Sequence, residues 1–260
     1  MEKDFLKIIV AQKKRELEVL KRKRPEAFLR VKSQDKREIR PFYKNLKKPK
    51  KINIIAEIKR ASPSKGGICL NLDPGKMAKN YEKGGASAIS VLTDEKFFKG
   101  SLDDFNLARK ETCLPMLRKD FIISTYQVYE SFVSDADAIL LIAKILSREE
   151  LRDLLALTHE LKMSALVEIN SKKDFLKADY AGARLIGINN RNLNSFDTDM
   201  TTAPRLISFF NKDQTAVAAS GISGKEDILK MYKAGIYSFL IGESLVKADN
   251  PVNFLKSLIE

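Results

Sequence analysis

The sequence is poor in the residues that carry most metal and nucleophile chemistry. Its 260 residues include one histidine, His159, and two cysteines, Cys69 and Cys113. The cysteines have neither the spacing of a metal site nor the density of a disulfide framework. His159 lies in a helix predicted over residues 148–161, so a zinc centre or a Ser-His-Asp triad has little to be built from. These shortages exclude the commonest metal and nucleophile sites.

Long apolar runs are also missing. No run reaches the roughly 20 residues needed to cross a membrane, and no secretory signal precedes residue 20. The first predicted strand is not followed by the glycine-rich fingerprint of a dinucleotide-binding fold. We therefore expect a cytoplasmic protein without a membrane partner. With 44% hydrophobic residues, the chain is able to bury one large core.

The net charge of +13 is concentrated at the N-terminus. Residues 1–51 carry 19 lysines and arginines against 7 acidic residues, a net of +12, which leaves about +1 for residues 52–260. Residues 3–24 have the apolar spacing of an amphipathic helix, Pro25 precedes a second helical piece, and Pro41 and Pro49 bracket a linker. A solvated charged face explains this basic extension better than a nucleic-acid arm does.

From residue 53 onward the pattern changes to short apolar runs separated by helical segments. Runs that are apolar on both faces are typical of parallel strands covered by helices. Ser147 with Glu150, and Ser223 with Glu226, form predicted capping boxes of two of these helices. Eight such units predict a closed (β/α)8 barrel, with strands at residues 53–58, 87–92, 115–119, 138–142, 165–169, 185–189, 215–220 and 238–242.

The carboxyl ends of the predicted strands collect polar side chains. Active sites of such barrels lie at this end, in the loops that follow the strands. Lysines and glutamates that converge on one barrel mouth shift one another's pKa values toward those useful in acid–base catalysis. The candidates are Glu57 and Lys59 after the first strand, Lys119 after the third, Glu168 after the fifth, and Asn189 and Arg191 after the sixth.

Small residues follow the last two strands. At Ser220-Gly221 and Gly242-Glu243, backbone N–H groups can approach an anion, as in the usual phosphate seat of these barrels. Each candidate also has a structural explanation: glycine suits any tight joint, and a lone lysine at a strand end is commonly solvated. Glycine after both strands favours the phosphate interpretation.

Taken in order, the motifs resemble those of the indole-3-glycerol-phosphate synthase family of tryptophan biosynthesis. The resemblance implies a carbon–carbon lyase that closes the indole ring of 1-(2-carboxyphenylamino)-1-deoxyribulose 5-phosphate, with loss of carbon dioxide and water and without metal or organic cofactor. It also implies that residues 1–51 form a helical lid over the catalytic end of the barrel, residues 52–260, within one domain. The motifs are AEIKRASPSKG (56–66), FFKGS (97–101), LRKDFI (117–122), LLIAKIL (140–146), LVEI (166–169), IGINNRNL (186–193), SGIS (220–223) and LIGESLV (240–246).

The resemblance assigns roles by motif position. Lys119 is similar to a general acid that protonates the carbonyl oxygen of the substrate, and Glu168 to a carboxylate that stabilises the cationic intermediate. Glu57 and Lys59 resemble the pair that serves dehydration, with Lys59 also near the phosphate. We expect Lys119 to be the better acid if Lys59 lowers its pKa. The other implied contacts are to the body of the substrate, from Ser62, Phe98, Phe121, Asn189 and Arg191, and to its phosphate, from Ser220, Gly221, Gly242 and Glu243.

One position departs from the family pattern. Ala219 stands directly before Ser220, where the family usually has glutamate, and we interpret this as a variant site that remains active. A barrel like phosphoribosylanthranilate isomerase would need a cysteine acting with an aspartate. A non-catalytic phosphate-binding barrel has only Ala219 in its favour, and a nucleic-acid-binding barrel leaves the charged strand ends unexplained. The expected partner is a small anionic molecule bearing a carboxylate and a phosphate, and the expected state is a monomer or weak homodimer.

Overall fold

A closed barrel of eight parallel strands forms the centre of the protein. The computed structural model describes residues 5–192 and 195–260, so the first two residues of the predicted helix 3–24 and the last residue of the motif 186–193 lie outside the described residues. Each strand pairs in parallel with its neighbours in the chain, and β1 pairs with β8 to close the barrel. The strands are β1 (Asn53–Ile58), β2 (Ala88–Leu92), β3 (Met116–Lys119), β4 (Ala138–Ile142), β5 (Ser164–Ile169), β6 (Leu185–Asn189), β7 (Thr215–Ala219) and β8 (Ser238–Ile241).

Helices cover the outside of the barrel and both of its ends. A 3-10 turn (Ile207–Phe209) and a two-residue ribbon (Ala61–Ser62 with Gly66–Gly67) complete the described elements. None of the helices in the described part of the chain is long and apolar enough to cross a membrane. The helices are α1 (Phe5–Lys23), α2 (Glu26–Lys32), α3 (Phe42–Leu46), α4 (Pro74–Lys83), α5 (Glu95–Phe98), α6 (Leu102–Lys110), α7 (Thr125–Val133), α8 (Arg148–Glu160), α9 (Lys172–Tyr180), α10 (Thr202–Leu206), α11 (Lys225–Lys233), α12 (Glu243–Lys247) and α13 (Pro251–Ile259).

The strand predictions are confirmed to within one residue at each end, and one of two capping boxes is confirmed. Ser147 Oγ accepts a hydrogen bond from the Glu150 N–H at 3.1 Å, and Glu150 Oε2 accepts one from the Ser147 N–H at 2.7 Å. The predicted box of Ser223 with Glu226 is wrong. Ser223 donates its N–H and its hydroxyl to Asp227, at 2.9 and 2.7 Å, because that carboxylate lies one residue further along the first turn of α11.

Side chains of the strands alternate between two cores. In β1, Ile54 and Ala56 belong to the core between the strands and the surrounding helices, whereas Ile55 belongs to the core inside the barrel. Glu57 has the same parity as Ile55 and is 2% exposed. The alternation that brings Ile55 inward therefore places the Glu57 carboxylate inside the barrel at its carboxyl end.

Helix α1 lies at the carboxyl end of the barrel. Its residues Leu6 and Ile9 are buried together with side chains from inside the barrel. The Phe5 ring contacts Phe97 in the loop after β2, with centroids 5.4 Å apart, and Phe196 in the loop after β6, at 5.2 Å. The extension thus covers the end at which the candidate residues lie.

Helix α3 closes the opposite end of the barrel, where the sequence predicted only a linker. Phe42 is fully buried among the side chains inside the barrel. The Leu46 carbonyl oxygen accepts a hydrogen bond from Ser238 Oγ, at the start of β8, at 2.8 Å. Within the described part of the extension, α1 therefore lies at the carboxyl end of the barrel and α3 at the opposite end.

Barrel carboxylates neutralise part of the basic charge of the extension. Arg37 Nη1 lies 3.8 Å from Oδ1 of the fully buried Asp137, and the Arg40 guanidinium donates to the Thr112 carbonyl oxygen at 2.7 Å. Arg24 pairs with the buried Glu130 at 3.1 Å. These contacts give several cationic side chains a role within the chain, which supports the structural interpretation of the extension over a nucleic-acid arm.

Candidate active site

A pocket opens at the carboxyl ends of the strands. Its volume is about 780 Å³ including its mouth, a size that suits a small molecule. Seven of the eight strands, or the loops that follow them, supply its predicted lining residues. These residues are Glu57, Lys59, Ser62, Phe98, Lys119, Glu168, Asn189, Arg191, Ser220, Gly221, Gly242 and Glu243.

Phe121 is the predicted site residue that the pocket surface does not include. Its ring is buried with the side chains inside the barrel, and its centroid lies 6.0 Å from that of Phe98. It lines a smaller adjoining cavity together with Lys119 and Glu168. Phe121 thus stands behind Phe98 and supports it.

Two ammonium groups and two carboxylates form the centre of the pocket. Lys59 Nζ lies 2.8 Å from Glu57 Oε1, and Lys119 Nζ lies 3.4 Å from Glu57 Oε2. Burial by itself would raise the pKa of Glu57, but Lys59 and Lys119 outweigh it and lower that pKa to about 2. Glu57 is therefore ionised at neutral pH and holds both lysines.

The pKa of Lys119 is raised and not lowered, so the condition under which Lys119 would be the better acid is not met. Burial favours the neutral amine and lowers this pKa, but the carboxylates of Glu57 and Glu168 outweigh burial. From the sequence, Lys59 was the neighbour expected to influence the pKa of Lys119, whereas in the structure two glutamates lie near its ammonium group. Lys119 is consequently a protonated donor throughout the neutral pH range.

Glu168 has a raised pKa. Burial is the largest cause, and it outweighs the opposing effects of the Lys119 charge and of a hydrogen bond from Asn189. Asn189 is itself held in place, because its Oδ1 accepts the Arg191 N–H at 2.9 Å. A carboxyl group whose pKa moves toward neutrality is suited to gaining and losing a proton during a reaction.

Close backbone packing shapes the other half of the pocket. Ser220 and Gly221 follow β7 with φ values of 66° and 80°, a conformation that favours glycine. A Cβ on Gly221 would lie 2.5 Å from Met200 Sδ, and one on Gly242 would overlap the carboxylate of Glu57. Glycine is therefore required at both turns, and the backbone after β8 lies against the charged cluster.

The Glu243 side chain is held outside the charged cluster. Lys247 Nζ donates to Glu243 Oε1 at 2.7 Å, and this hydrogen bond, more than the charges of Lys247, Lys65 and Lys59, lowers the pKa of Glu243. The first N–H groups of a helix have no partner within the helix. What Glu243 offers an anion in the pocket is therefore its backbone N–H at the start of α12.

Several pocket residues were not selected from the sequence. Arg191 Nη1 donates to Ser64 Oγ at 2.5 Å, which joins the loop after β1 to the loop after β6. Ser64, Phe196 and Ala219 all line the pocket. Ser64 stands in the motif AEIKRASPSKG after the first strand, and Phe196 follows the sixth strand as Phe98 follows the second, so loop position was the available signal.

The cysteines and the acidic groups offer no alternative chemistry in the described ranges. Cys69 and Cys113 are free thiols, and neither lines the pocket. Within residues 5–192 and 195–260, no three histidine, cysteine or acidic side chains are grouped to hold a metal ion. An isomerase that uses a cysteine with an aspartate is therefore not favoured.

The fold and the pocket define the class of the protein: a (β/α)8-barrel enzyme whose acid–base cluster lies beside glycine-rich turns. The family model described as "Indole-3-glycerol phosphate synthase" matches residues 6–258. The chain belongs to this family of carboxy-lyases.

Curated relatives with the same description match nearly the whole chain. The protein from Desulfosudis oleivorans is 52% identical over 259 residues, covering 98% of each chain. The one from Syntrophobacter fumaroxidans is 46% identical and covers 98% of this chain and 97% of its own. The one from Legionella pneumophila is 44% identical, with 97% and 93% covered.

Solved structures with low identity show the barrel alone. The N-acetylmannosamine-6-phosphate 2-epimerase from Clostridium perfringens superposes with a TM-score of 0.61 at 16% identity, covering 81% of this chain and 93% of its own. The thiamine phosphate pyrophosphorylase from Pyrococcus furiosus gives 0.59 at 14% identity, with 80% and 93% covered.

Proposed function

We propose that the protein catalyses ring closure of 1-(2-carboxyphenylamino)-1-deoxyribulose 5-phosphate to indole-3-glycerol phosphate, with loss of carbon dioxide and water. The observation that carries this proposal is the position of Lys119. Its ammonium group lies 3.4 Å from Glu57 and within the electrostatic influence of Glu168, in a pocket that the glycine turns after β7 and β8 also line. Family membership supports the same reaction.

Lys119 acts as the general acid in the first step. The aromatic carbon that carries the carboxylate attacks the ketone carbon, and Lys119 gives its proton to the ketone oxygen. The intermediate is cationic in its ring, and the carboxylate of Glu168 stabilises it until carbon dioxide leaves and its bonding electrons restore the aromatic ring. The raised pKa of Lys119 keeps the donor charged before the step.

Lys59 and Glu168 serve the loss of water. Because Glu57 is ionised, the acid of the Glu57–Lys59 pair is Lys59, which protonates the leaving hydroxyl group. Glu168, whose pKa is raised, takes the proton from the adjacent ring carbon. Two protons are donated and one is recovered, which matches the net proton consumed when a carboxylate leaves as carbon dioxide.

The anionic groups of the substrate are bound at two places. The phosphate is held by Lys59, by Ser220 and Gly221, and by the backbone of Gly242 and Glu243. The carboxylate-bearing ring lies against Phe98, supported by Phe121, with Ser62, Asn189 and Arg191 positioning it. Ala219 contributes a methyl group where a further carboxylate would stand, so Glu168 carries the proton transfers on that side of the pocket.

Helix α1 acts as a lid. Phe5 joins the loops after β2 and β6 through Phe97 and Phe196, and Phe196 lines the pocket. We expect Phe5→Ala to raise KM several-fold while changing kcat less than twofold, because it loosens the cover without touching the charged cluster. An unchanged KM would contradict the lid role, and Phe28→Ala, at an exposed position on α2, is the matched control.

The remaining expectations concern binding partners, assembly state and cellular location. The substrate is the only partner that the proposal requires, with no nucleic acid and no membrane, and the protein works as a monomer or weak homodimer in the cytoplasm. Sedimentation velocity over a range of concentrations tests the assembly state. A tight dimer or larger assembly at micromolar concentration would contradict it.

The proposed function is tested with purified protein, the carboxyphenylamino sugar phosphate and a metal chelator. We expect indole fluorescence to appear together with one equivalent of carbon dioxide for each indole formed. Turnover of phosphoribosylanthranilate without indole formation would favour the isomerase alternative. Binding of the substrate without turnover would favour a non-catalytic barrel.

A further inference from the structure

We propose that Lys13 of helix α1 is a positioning residue for the reaction: it ties together the two turns that carry Lys119 and the aromatic wall of the pocket. This inference rests on the proposed function. It gives the N-terminal extension a part in the chemistry beyond covering the pocket.

Lys13 occupies a core position of its helix. Leu6, Ile9 and Leu17 are buried at the spacing of one helix face, and Lys13 lies on that same face with 5% of its surface exposed. An ammonium group at such a position is costly unless it is paired. Apolar residues of the same face already pack α1 against the barrel, so attachment alone does not account for a lysine at this position.

Two buried aspartates bind the Lys13 ammonium group. Its Nζ lies 2.9 Å from Asp94 Oδ2 and 3.0 Å from Asp120 Oδ1, with Glu16 of the same helix also at 3.0 Å. Asp94 is fully buried, and Asp120 is 4% exposed. Burial would lower the pKa of Lys13, but the charges of these aspartates outweigh burial and raise it. The cation is therefore permanent.

Each aspartate fixes one turn of the active site. Asp94 Oδ1 accepts the Phe97 N–H at 2.7 Å and so caps α5, which ends at Phe98 in the pocket wall. Asp120 directly follows Lys119, and its Oδ1 accepts the Phe121 N–H at 2.8 Å. One ammonium group thus connects the turn after β2 to the turn after β3.

If Lys13 is replaced by an uncharged residue, Arg118 still neutralises part of the charge of Asp120. Asp120 Oδ2 also accepts hydrogen bonds from Thr93 Oγ1 at 2.7 Å and from Arg118 at 3.2 Å, and Arg118 pairs with Glu130 at 2.9 Å. We therefore expect Lys13→Met to fold, with Asp94 as the carboxylate that loses its charged partner. The predicted defect is a misplaced turn and not a lost barrel.

The test compares Lys13→Met with Lys14→Met, an exposed lysine one residue further along α1. At a temperature where all proteins are folded, we expect kcat of Lys13→Met to fall about 10- to 100-fold, because small misplacements of a catalytic group have effects of that size. The inhibition constant of inorganic phosphate should change less than twofold, since the turns after β7 and β8 do not contact Lys13. Lys14→Met should match the wild type in both constants.

The outcomes separate positioning from general stability. A kcat of Lys13→Met within twofold of the wild type would overturn the inference, and so would a parallel loss of phosphate binding. If Lys13→Met does not fold, the substitution Asp94→Asn tests the inference instead. It keeps the side-chain oxygen that caps α5 and removes only the negative charge that Lys13 binds. We then expect a 3- to 10-fold loss of kcat with unchanged phosphate inhibition, and an unchanged kcat would overturn the inference. A wild-type protein without indole formation would instead overturn the proposed function.

Discussion

Replacement of Lys119 by methionine is the sharpest test of the acid–base cluster. Methionine keeps most of the volume of the side chain and removes its charge and proton. A general acid contributes about 10²- to 10⁴-fold to a rate, and a 10³-fold loss corresponds to about 4 kcal/mol of activation free energy. We therefore expect kcat to fall about a thousandfold, as measured by indole fluorescence.

The same substitution should cost little stability. Glu57 keeps its contact with Lys59 at 2.8 Å. Glu168 loses the charge of Lys119 and, because burial already raises its pKa, it takes up a proton instead of remaining an isolated carboxylate. The cost should stay well below the 3–5 kcal/mol of an orphaned buried charge. A cost of about 1 kcal/mol would shift the melting temperature by about 2–4 °C.

Lys144→Met is the matched control for Lys119→Met. Lys144 is exposed in the loop after β4, on the same end of the barrel, and its loss removes the same charge. Its kcat should equal that of the wild type, and phosphate inhibition should be unchanged in both variants. If Lys119→Met kept a tenth or more of the wild-type rate, Lys119 would not be the acid.

Three further predictions concern the turns and the titrating groups. Gly242→Ala should lower kcat/KM at least tenfold, because the added methyl group would displace the Glu57 carboxylate. The control is Gly224→Ala, whose added methyl group would have no atom within 4 Å, and it should have little effect on kcat/KM. Equal effects of the two substitutions would contradict the prediction. The apparent pKa of the acid limb in the pH profile of kcat/KM should lie above the ordinary glutamate value of about 4.3, and this limb should be absent in Glu168→Gln. An apparent pKa at or below about 4.3 would refute the role of Glu168. The pKa of Asp120 is lowered to about 2 in the folded protein, so the ionised carboxylate stabilises the fold above the unfolded-state pKa, and this stabilisation is lost as the pH falls toward 2. The difference in unfolding free energy between the wild type and Asp120→Asn should therefore shrink by roughly 2 kcal/mol from pH 5 to pH 2. A difference that stays constant over this range would contradict the prediction.

The barrel was predictable because the local amino-acid composition is enough to locate its strands. Runs of alanine, valine, isoleucine and leucine that end at a charge or a glycine mark parallel strands, and strand ends in a barrel meet at one mouth. Glu57 could be placed inside from its parity with Ile55 alone. Convergence of the candidate pocket residues followed from the same rule.

The missed features depend on contacts distant in sequence. Helix α3 has five residues, too few to be stable alone, and forms because Phe42 and Leu46 pack into the barrel. Lys13 is one of 19 basic residues in the extension, and its partners Asp94 and Asp120 come from loops about a hundred residues later. The pKa of Lys119 could not be given the right direction without knowing that carboxylates surround it.

A structure of the protein with the product or a reduced substrate analogue bound tests most directly whether these groups act on one molecule. We expect the phosphate within hydrogen-bonding distance of the backbone after β7 and β8 and of Lys59. We expect Lys119 Nζ within hydrogen-bonding distance of the oxygen that corresponds to the ketone. A ligand bound elsewhere, or with its phosphate against Lys119, would contradict the assignment of both halves of the pocket.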